Sequence, residues 1–589
     1  MSIQMFTPLS SARRTPLVRL LTSLLALVLI GSSADAQARS MASPGGAQWD
    51  AHVTSLIEAY FAAWPSVAVS AGRHEYDGRL PDFSPAGLAA FDTLFTNWRS
   101  RTAAFDTTAL DADRRFEREY VLAMLDRQLW SLKSVDAPHR SPSFYAGALD
   151  PNVYLTRPYA PLRQRMQAYI RYARAVARAA PQIQGNLRPP LARTMIDRGR
   201  GAFGGFASFY KENVPAVFAA VNDSALQREL AQVNDSAAAA MRSLDAWLEA
   251  QRGTQTEDFA IGADRFREML YASERVDTPL EELERIGRAD LARNQAALRE
   301  ACARYAAGAS LTDCVRKADA HKPPENTLDA ARRQLKMLRQ FVAEHGVVSI
   351  PGTEEAFVGE SPPYMRYNTA YIQIPGPYDL TLPSTYYVAP PDPSWTAEQR
   401  AGYIPSEANL LFISVHEVWP GHFLQFLHAK RVRSLFGRLF GTGAFSEGWA
   451  HYTEEMMWDE GLGAGDPETH IGQLTNALLR DVRFLSAIGL HTRGMTVAAS
   501  ERMFREEAFQ GEAVSRQQAA RGTFDPGYLS YTMGKLMIRK LRDDWCASRG
   551  GKAAWKQFHD QFLSYGSPPI PLVRRAMMGG DAKGSGALF

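Results

Sequence analysis

The chain has 589 residues, of which 46% are apolar and 22% are charged. This length allows a large core in two or three domain-sized units or in one two-lobed body, and the ordinary composition excludes disorder over most of the chain. The formal net charge is +3, and it falls to about +1 without the N-terminal segment described next. So small a charge does not favour nucleic acid or an anionic membrane surface as a partner.

The N-terminus has the pattern of an export signal. Arg13, Arg14 and Arg19 precede an apolar run at 20–30, which gives way to small residues ending in Ala-Asp-Ala. This order predicts a signal peptide over 1–36 and export to the periplasm or beyond. The run is shorter than the roughly 20 apolar residues that span a bilayer, and no cysteine lies near the cleavage point. We therefore expect no stable membrane anchor after cleavage.

Helical periodicity dominates the rest of the chain. Apolar residues at three- and four-residue spacing predict long helices, at 116–133, 162–183, 225–252, 279–307 and 327–346. Thr278, Pro279 and Glu281 predict a capping box at the start of one of them. The pattern is interrupted at 259–277, which predicts a boundary between an N-terminal helical half (37–275) and a C-terminal half (276–589) that carries the chemistry.

The three cysteines leave two interpretations open. Cys302 and Cys314 are close enough in sequence to close a short disulfide loop, which export permits. Alternatively, these two and Cys546 are buried thiols. Cysteines so dispersed do not form a metal site.

Strand patterns cluster in one Pro/Gly-rich region. Segments 347–350, 369–374 and 384–389 are rich in β-branched and aromatic residues, which predicts a small sheet directly before the motif described next. An edge strand of this sheet could hold an extended peptide through backbone hydrogen bonds. The alternative is that the strands only cover the core.

The segment His416-Glu417-Val418-Trp419-Pro420-Gly421-His422 is typical of a zinc site. Zinc peptidases with His-Glu-x-x-His place two histidines four residues apart on one helical face. Here the spacing is six, which rotates the second imidazole by roughly 120° on a straight helix. Pro420 lacks the N–H that would bond the carbonyl of His416, and Gly421 tolerates unusual backbone angles. We therefore predict a break that returns His422 to the side of His416.

A third protein ligand is needed if the fourth position is left to water. Glu447, 25 residues after His422, is the candidate, with His451 and Glu454 on the same helical face. The predicted cofactor is Zn²⁺ held by His416, His422 and Glu447, with Glu417 as general base. Gln425 is a candidate to orient a ligand, and His428 is interpreted as a packing or surface residue.

These motifs resemble a bacterial family of uncharacterised zincin-like proteins that bear H-E-x-x-P-G-H and E-G-W-A-x-Y. The second motif appears as Glu447-Gly448-Trp449-Ala450-His451-Tyr452, and a third, P-G-x-x-x-Y-x-x-G, begins at Pro526. The likeness runs over about 53–541. The chain is also similar, more distantly, to gluzincin oligopeptidases and carboxypeptidases. The resemblance implies a mainly α, large helical zincin-like (gluzincin-type) fold with a small β-sheet beside the metal helices.

The sequence departs from that family at two positions. Ala487 stands where an acidic residue is usual, in the segment that ends at His491, and Tyr528 stands where glutamine is usual. Neither change removes a zinc ligand or the general base, but both bear on substrate choice.

Polarising a substrate carbonyl needs a donor from outside the metal helices. Tyr531 and His491 are the candidates, with Tyr528 in reserve and His451 either a donor or a structural residue. Arg480 and Arg483 could pair with a substrate carboxylate or with Glu447, or lie on a solvated face.

The predicted function is zinc-dependent hydrolysis of peptide bonds, in short peptides, by a metal-activated water. Two alternatives stay open. One is a zinc amidase on a peptide-like or cell-wall substrate, and the other is a non-catalytic peptide-binding relative. The sequence does not give the oligomeric state.

Overall fold

The computed structural model describes residues 44–362, 365–366, 369–391, 395–579 and 587–589. The predicted signal peptide at 1–36 lies outside them. None of the helices within these ranges combines the length and apolarity needed to cross a membrane.

The N-terminal part consists of helices that pack through aromatic and small apolar side chains. They are α1 (Pro44–Ala63), α2 (Pro65–Ala71), α3 (Pro85–Ala103), α4 (Ala112–Leu129), α5 (Ala137–Arg140), α6 (Ser143–Ala146), α7 (Asn152–Thr156), α8 (Leu162–Asn186), α9 (Arg193–Glu212), α10 (Val214–Phe218) and α11 (Ser224–Ala250). Polar caps start several of them: the Asp111 carboxylate, for example, accepts the Arg114 N–H at the start of α4.

The C-terminal part continues with helices on either side of a small sheet. The helices are α12 (Ala263–Glu274), α13 (Leu280–Tyr305), α14 (Leu311–Ala320), α15 (Thr327–His345), α16 (Ala397–Tyr403), α17 (Glu407–Glu417), α18 (His422–Ala429), α19 (Leu435–Leu439), α20 (Gly443–Asp459), α21 (Pro467–Thr492), α22 (Val497–Glu507), α23 (Glu512–Phe524), α24 (Ser530–Ala547), α25 (Trp555–Leu563) and α26 (Ile570–Met578).

The five long helices predicted from periodicity are confirmed as α4, α8, α11, α13 and α15. The last ends as expected, at Gly346 in the left-handed conformation. The predicted capping box at Thr278 is wrong: α13 begins one residue later, after Pro279, and has no side-chain cap. The Glu281 carboxylate instead forms an ion pair with Arg493. The interruption at 259–277 is also less complete than expected, since α12 lies within it.

The sheet has three strands, β1 (Ala356–Glu360), β2 (Ala370–Gln373) and β3 (Ser384–Val388), in the order β1-β3-β2. β1 is parallel to β3, and β2 is antiparallel to it. Two of the predicted strands are thus confirmed.

The strand predicted at 347–350 is wrong. There the Ser349 N–H donates to the Asp560 carboxylate and His559 binds the Val347 carbonyl. The backbone groups are thus bound by side chains instead of a neighbouring strand. The first strand of the sheet, β1, lies a few residues later, directly after two glutamates, and contains Gly359. Glycine and glutamate are depleted in strands, so the sequence pattern did not predict this one.

Apolar clusters show how the helices pack. One N-terminal cluster surrounds Tyr169 and Phe203, and the C-terminal cluster surrounds Leu291 and Phe484. A third joins N-terminal helices to Phe436 and Leu572 from the C-terminal part. The division at 275 and 276 stays a prediction, whereas a mainly helical fold with a small sheet is confirmed.

Cys302 and Cys314 form a disulfide, which settles the alternative left open by the sequence. It ties the end of α13 to α14. Cys546 is a buried free thiol.

Candidate metal centre

The helix that carries His416 and Glu417 ends where the Pro-Gly pair predicts. α17 stops at Glu417, and α18 begins at His422. A methyl group on Gly421 would lie 1.8 Å from the carbonyl oxygen of His416. Its φ of −72° is open to any residue, so glycine is required by close backbone approach and not by a left-handed conformation. The predicted break is confirmed.

Across this break, three side chains converge. Oε2 of Glu447 lies 3.5 Å from Nε2 of His416 and 3.4 Å from Nε2 of His422. One ligand atom from each of the three lies within 4.8 Å of the others. Zinc bonds of about 2.0–2.1 Å at tetrahedral angles place ligand atoms roughly 3.4 Å apart, so two imidazoles and a carboxylate in this arrangement fit the ion.

Glu454 fixes the orientation of the first histidine. Its Oε1 lies 2.7 Å from Nδ1 of His416, and the carboxylate is fully buried. Arg480 in turn lies 3.1 Å from the same oxygen. A carboxylate bound to Nδ1 leaves Nε2 to face the metal position. Despite burial, Arg480 and His416 hold the pKa of Glu454 far below its usual value. The sequence placed Glu454 on the face of Glu447 but did not assign it this role.

Glu417 lies beside the three converging side chains and contacts the sheet. Its Oε2 accepts the backbone N–H of Ile372 in β2 at 3.1 Å. The side chain lines the same cavity as His416, His422 and Glu447. Burial raises the pKa of Glu417 above its usual value, although both histidines oppose this. A carboxylate with a raised pKa is a better proton acceptor.

Tyr531 is the predicted donor that the structure brings to the site. It lines the cavity, and its ring stacks at 6.1 Å on that of His416. Two glycines allow this approach, since α20 and α24 cross at Gly448 and Gly534. A methyl group on Gly448 would lie 2.5 Å from Cα of Gly534.

His491 does not line the cavity of the candidate metal centre, and the structure does not support its predicted role. Its Nε2 binds the carbonyl of Gly522 at 2.7 Å, and its ring stacks on Phe266. It is 1% exposed and does not line the cavity. His491 is therefore packed between helices in the protein interior.

His451 and Tyr528 are also buried away from the cavity. His451 is fully buried, and its Nδ1 lies 3.6 Å from Oε2 of Glu454. The hydroxyl of Tyr528 lies against Gly522. Neither residue lines the cavity, which removes both as donors.

Two further assignments change. The amide of Gln425 binds Ser567 at 2.6 Å and orients no metal ligand. Arg480 forms an ion pair with Glu454, whereas Arg483 lines the cavity. The interpretation of His428 as a packing residue is confirmed by its contact with the carbonyl of Ser349.

The metal centre opens into a cavity of about 2750 Å³. Helices α7 and α9 of the N-terminal part contribute to its wall, as do α21, α23 and α24. The edge strand β2 also lines it. The wall contains both cationic and anionic side chains, in keeping with the small net charge.

Comparison with known proteins gives a family and a fold. The chain matches, over residues 65–577, the model of a family described as "Bacterial protein of unknown function (DUF885)". This match confirms the expected resemblance to an uncharacterised bacterial family.

Two solved structures resemble the whole molecule. A candidate lipoprotein of unknown function from Shewanella oneidensis is 23% identical, with a TM-score of 0.74 over 90% of this chain and 99% of the other. A candidate lipoprotein from Colwellia psychrerythraea is 18% identical, with a TM-score of 0.76 over 91% and 98%. None of the curated proteins compared with the chain matches it. At such identities the likeness shows the fold alone.

Proposed function

Because the chain belongs to the DUF885 family of bacterial proteins of unknown function, we propose its activity from its own residues: zinc-dependent hydrolysis of peptide bonds in short peptides. The observation that carries this proposal is the meeting of His416, His422 and Glu447 across a helix break, beside a cavity. A structural zinc would use four protein ligands. Within the described residues, only these three group together as candidate metal ligands.

Zinc bound by these side chains would act as a Lewis acid and lower the pKa of a water molecule. Glu417 accepts the proton of the attacking water and passes it to the nitrogen of the leaving amine as the C–N bond breaks. The Ile372 N–H holds the Glu417 carboxylate in place. Tyr531 donates to the oxygen of the carbonyl as negative charge develops there.

The edge strand β2 is a further reason to propose a peptide as the substrate. Tyr371, Ile372 and Gln373 line the cavity, and β2 pairs with β3 on one side only. An extended peptide can add to such an edge through its backbone. We also propose that the fold is zincin-like and that a peptide binds along β2 in this way.

We also propose that the protein is exported. The N-terminal pattern at 1–36 supports this, as do the two structural neighbours, which are described as candidate lipoproteins.

Metal analysis and turnover test the proposal together. We expect about one zinc per chain, and chelation should abolish hydrolysis of a mixed peptide library. Glu417→Gln should keep the zinc and lose turnover, whereas His422→Ala should lose the zinc. Full zinc affinity in His422→Ala would exclude it as a ligand. Zinc binding without hydrolysis of any peptide would favour an amidase or a binding protein.

The role of Tyr531 has its own test. Tyr531→Phe should retain zinc and lower kcat by about 10²–10³, the usual cost of removing one oxyanion donor. Tyr528→Phe, three residues earlier and away from the cavity, is the matched control and should leave kcat unchanged. Equal effects of the two variants would remove Tyr531 as the donor.

A further inference from the structure

Three arginines lie around Tyr531, and they differ in their partners. Arg480 forms an ion pair with Glu454 at 3.1 Å, and Arg521 forms one with Asp525 at 2.8 Å. Arg483 forms no ion pair with any residue that the structure describes. Its one hydrogen bond there runs from Nε to the neutral amide of Gln518, at 2.8 Å.

Arg483 is nevertheless almost completely buried, with 8% of its surface exposed, and it lines the cavity. Its guanidinium lies over the ring of Tyr531, 4.9 Å from the centroid. Burial lowers the pKa of Arg483 to about 10, which still leaves it charged at neutral pH. A buried charge without an ion-pair partner destabilises the fold, so the position of Arg483 suits the binding of an anion from the substrate.

The Glu447 carboxylate acts on Arg483 electrostatically without forming an ion pair with it, and Glu447 is also a candidate ligand of the metal. The two positive charges of a zinc ion would balance the carboxylates of Glu417 and Glu447. Arg480 and Arg521 already have carboxylate partners. One positive charge, on Arg483, remains on the wall of the cavity. With Nε held by Gln518, the two terminal nitrogens of the guanidinium can form the bidentate pair that carboxylates favour.

The distance to the metal position suits a substrate terminus. The step from Arg483 to the ring of Tyr531 is 4.9 Å, and the step from that ring to the ring of His416 is 6.1 Å. An extended residue spans about 3.5 Å. The two steps set an upper limit of about 11 Å between the Arg483 guanidinium and the His416 ring, a span that leaves room for one or two extended residues between a carbonyl at the candidate metal centre and a carboxylate held by Arg483.

We propose, on the basis of the proposed peptidase function, that Arg483 binds the C-terminal carboxylate of the substrate. The enzyme then releases one or two residues from the carboxyl end. Arg483 is the residue that determines this specificity. The reaction remains hydrolysis, since water adds to the carbonyl carbon, the C–N bond breaks and the amine of the released fragment takes the proton.

The first experiment needs no variant. A set of tetrapeptides is made once with free carboxylates and once as C-terminal amides, and the products are identified by mass spectrometry. The zinc-loaded protein should release a C-terminal amino acid or dipeptide from the acids, with kcat/KM at least tenfold above that for the amides. Equal cleavage of acids and amides overturns the inference and leaves the proposed function intact. Cleavage of neither overturns both.

Variants then assign the preference to one side chain. Arg483→Gln should lower kcat/KM for the acids to the level of the amides and change the amides little, while Arg483→Lys should restore part of the preference. Arg516→Gln is the matched control, since Arg516 lines the same cavity but is already paired with Glu512. An undiminished preference for acids in Arg483→Gln excludes Arg483 as the anchor.

Binding without turnover gives an independent readout. In the Glu417→Gln background, the best-cleaved tetrapeptide should bind at least tenfold more tightly as the acid than as the amide, measured by calorimetry. Adding Arg483→Gln should remove that difference. A difference that persists contradicts the proposal even if the double variant is inactive.

Discussion

At the scale of single residues, the candidate site depends on a buried carboxylate behind the first histidine. Glu454 binds His416 at 2.7 Å and is itself held by Arg480. The arginine keeps the carboxylate ionised, and the ionised carboxylate keeps the imidazole in the orientation that a metal requires. This chain of contacts fixes the orientation of the His416 ring near the end of its helix.

Glu454→Gln should therefore weaken zinc binding by about 10- to 100-fold while all three ligands remain. Competition with a chelator of known affinity measures this. Glu460→Gln, directly after the end of the same helix, where the carboxylate pairs with Lys552, is the control and should bind zinc as the wild type does. Equal zinc affinity in Glu454→Gln and the control would show that the contact plays no part in metal binding.

At the scale of elements, the site is made by helix ends and helix crossings. The break between α17 and α18 brings two histidines together, and the glycine crossing of α20 and α24 brings Tyr531 close to them. Both features need backbone to approach backbone more closely than a Cβ allows.

Gly421→Ala should displace His422, because its methyl group would meet the carbonyl of His416 at 1.8 Å. We expect loss of stoichiometric zinc and a lower Tm. Gly185→Ala, within α8 and with nothing within 4 Å, should do neither. Metal content and thermal unfolding report the two effects separately. Normal zinc content in Gly421→Ala would show that the break tolerates a side chain and that the ligand geometry does not depend on it.

A second buried carboxyl, that of Glu274 at the end of α12, contacts the start of α20. Oε1 of Glu274 accepts the N–H of Ala444 at 3.1 Å, and burial raises the pKa of Glu274 to about 7. A carboxyl whose pKa is raised on folding stabilises the fold when protonated. This contribution is complete below the usual value near 4.5 and is lost as the pH rises through 7.

Glu274→Gln mimics the protonated form and should remove this dependence. The unfolding free energy of the wild type, relative to the variant, should fall by about 3 kcal/mol between pH 4.5 and 7.5. Denaturant titrations at several pH values measure it. Glu282→Gln, a substitution at the surface, should show no such trend. A flat difference for Glu274→Gln would mean that the carboxyl is ionised throughout this range.

At the scale of the whole molecule, the candidate metal centre lies on the wall of a large cavity, with His416 buried and His422 and Glu447 partly exposed. The wall of the cavity combines helices from both ends of the chain, and a shared apolar cluster holds Phe436 and Leu572 against N-terminal helices. We therefore expect a peptide substrate to enter this cavity as a flexible chain.

We expect short peptides to be cleaved and folded proteins to be spared. A disulfide-bonded protein can be offered before and after reduction and unfolding, so that the same sequence is compared in two states. The protein's own disulfide requires that the reductant be removed first. Cleavage of the folded substrate at a rate close to that of the unfolded one would show that the cavity is not the route of entry.

The sequence by itself determined the local features. The periodicity of α8, α11 and α15, the break at Pro420 and Gly421, and the identities of His416, Glu417, His422 and Glu447 all follow from residues close together in the chain, where helix geometry and proline chemistry operate. The sequence failed where an outcome depended on distant partners. The segment at 347–350 gives its backbone groups to Asp560 and His559, and His491 turns inward to the carbonyl of Gly522.

Only the tertiary structure decided which polar side chains share the cavity. Tyr531 and Arg483 face it, whereas Tyr528, His451 and His491 do not, although all five belong to polar residue types that could serve a catalytic site. Side-chain direction depends on how α20, α21 and α24 cross, and that crossing is set by contacts between residues many positions apart.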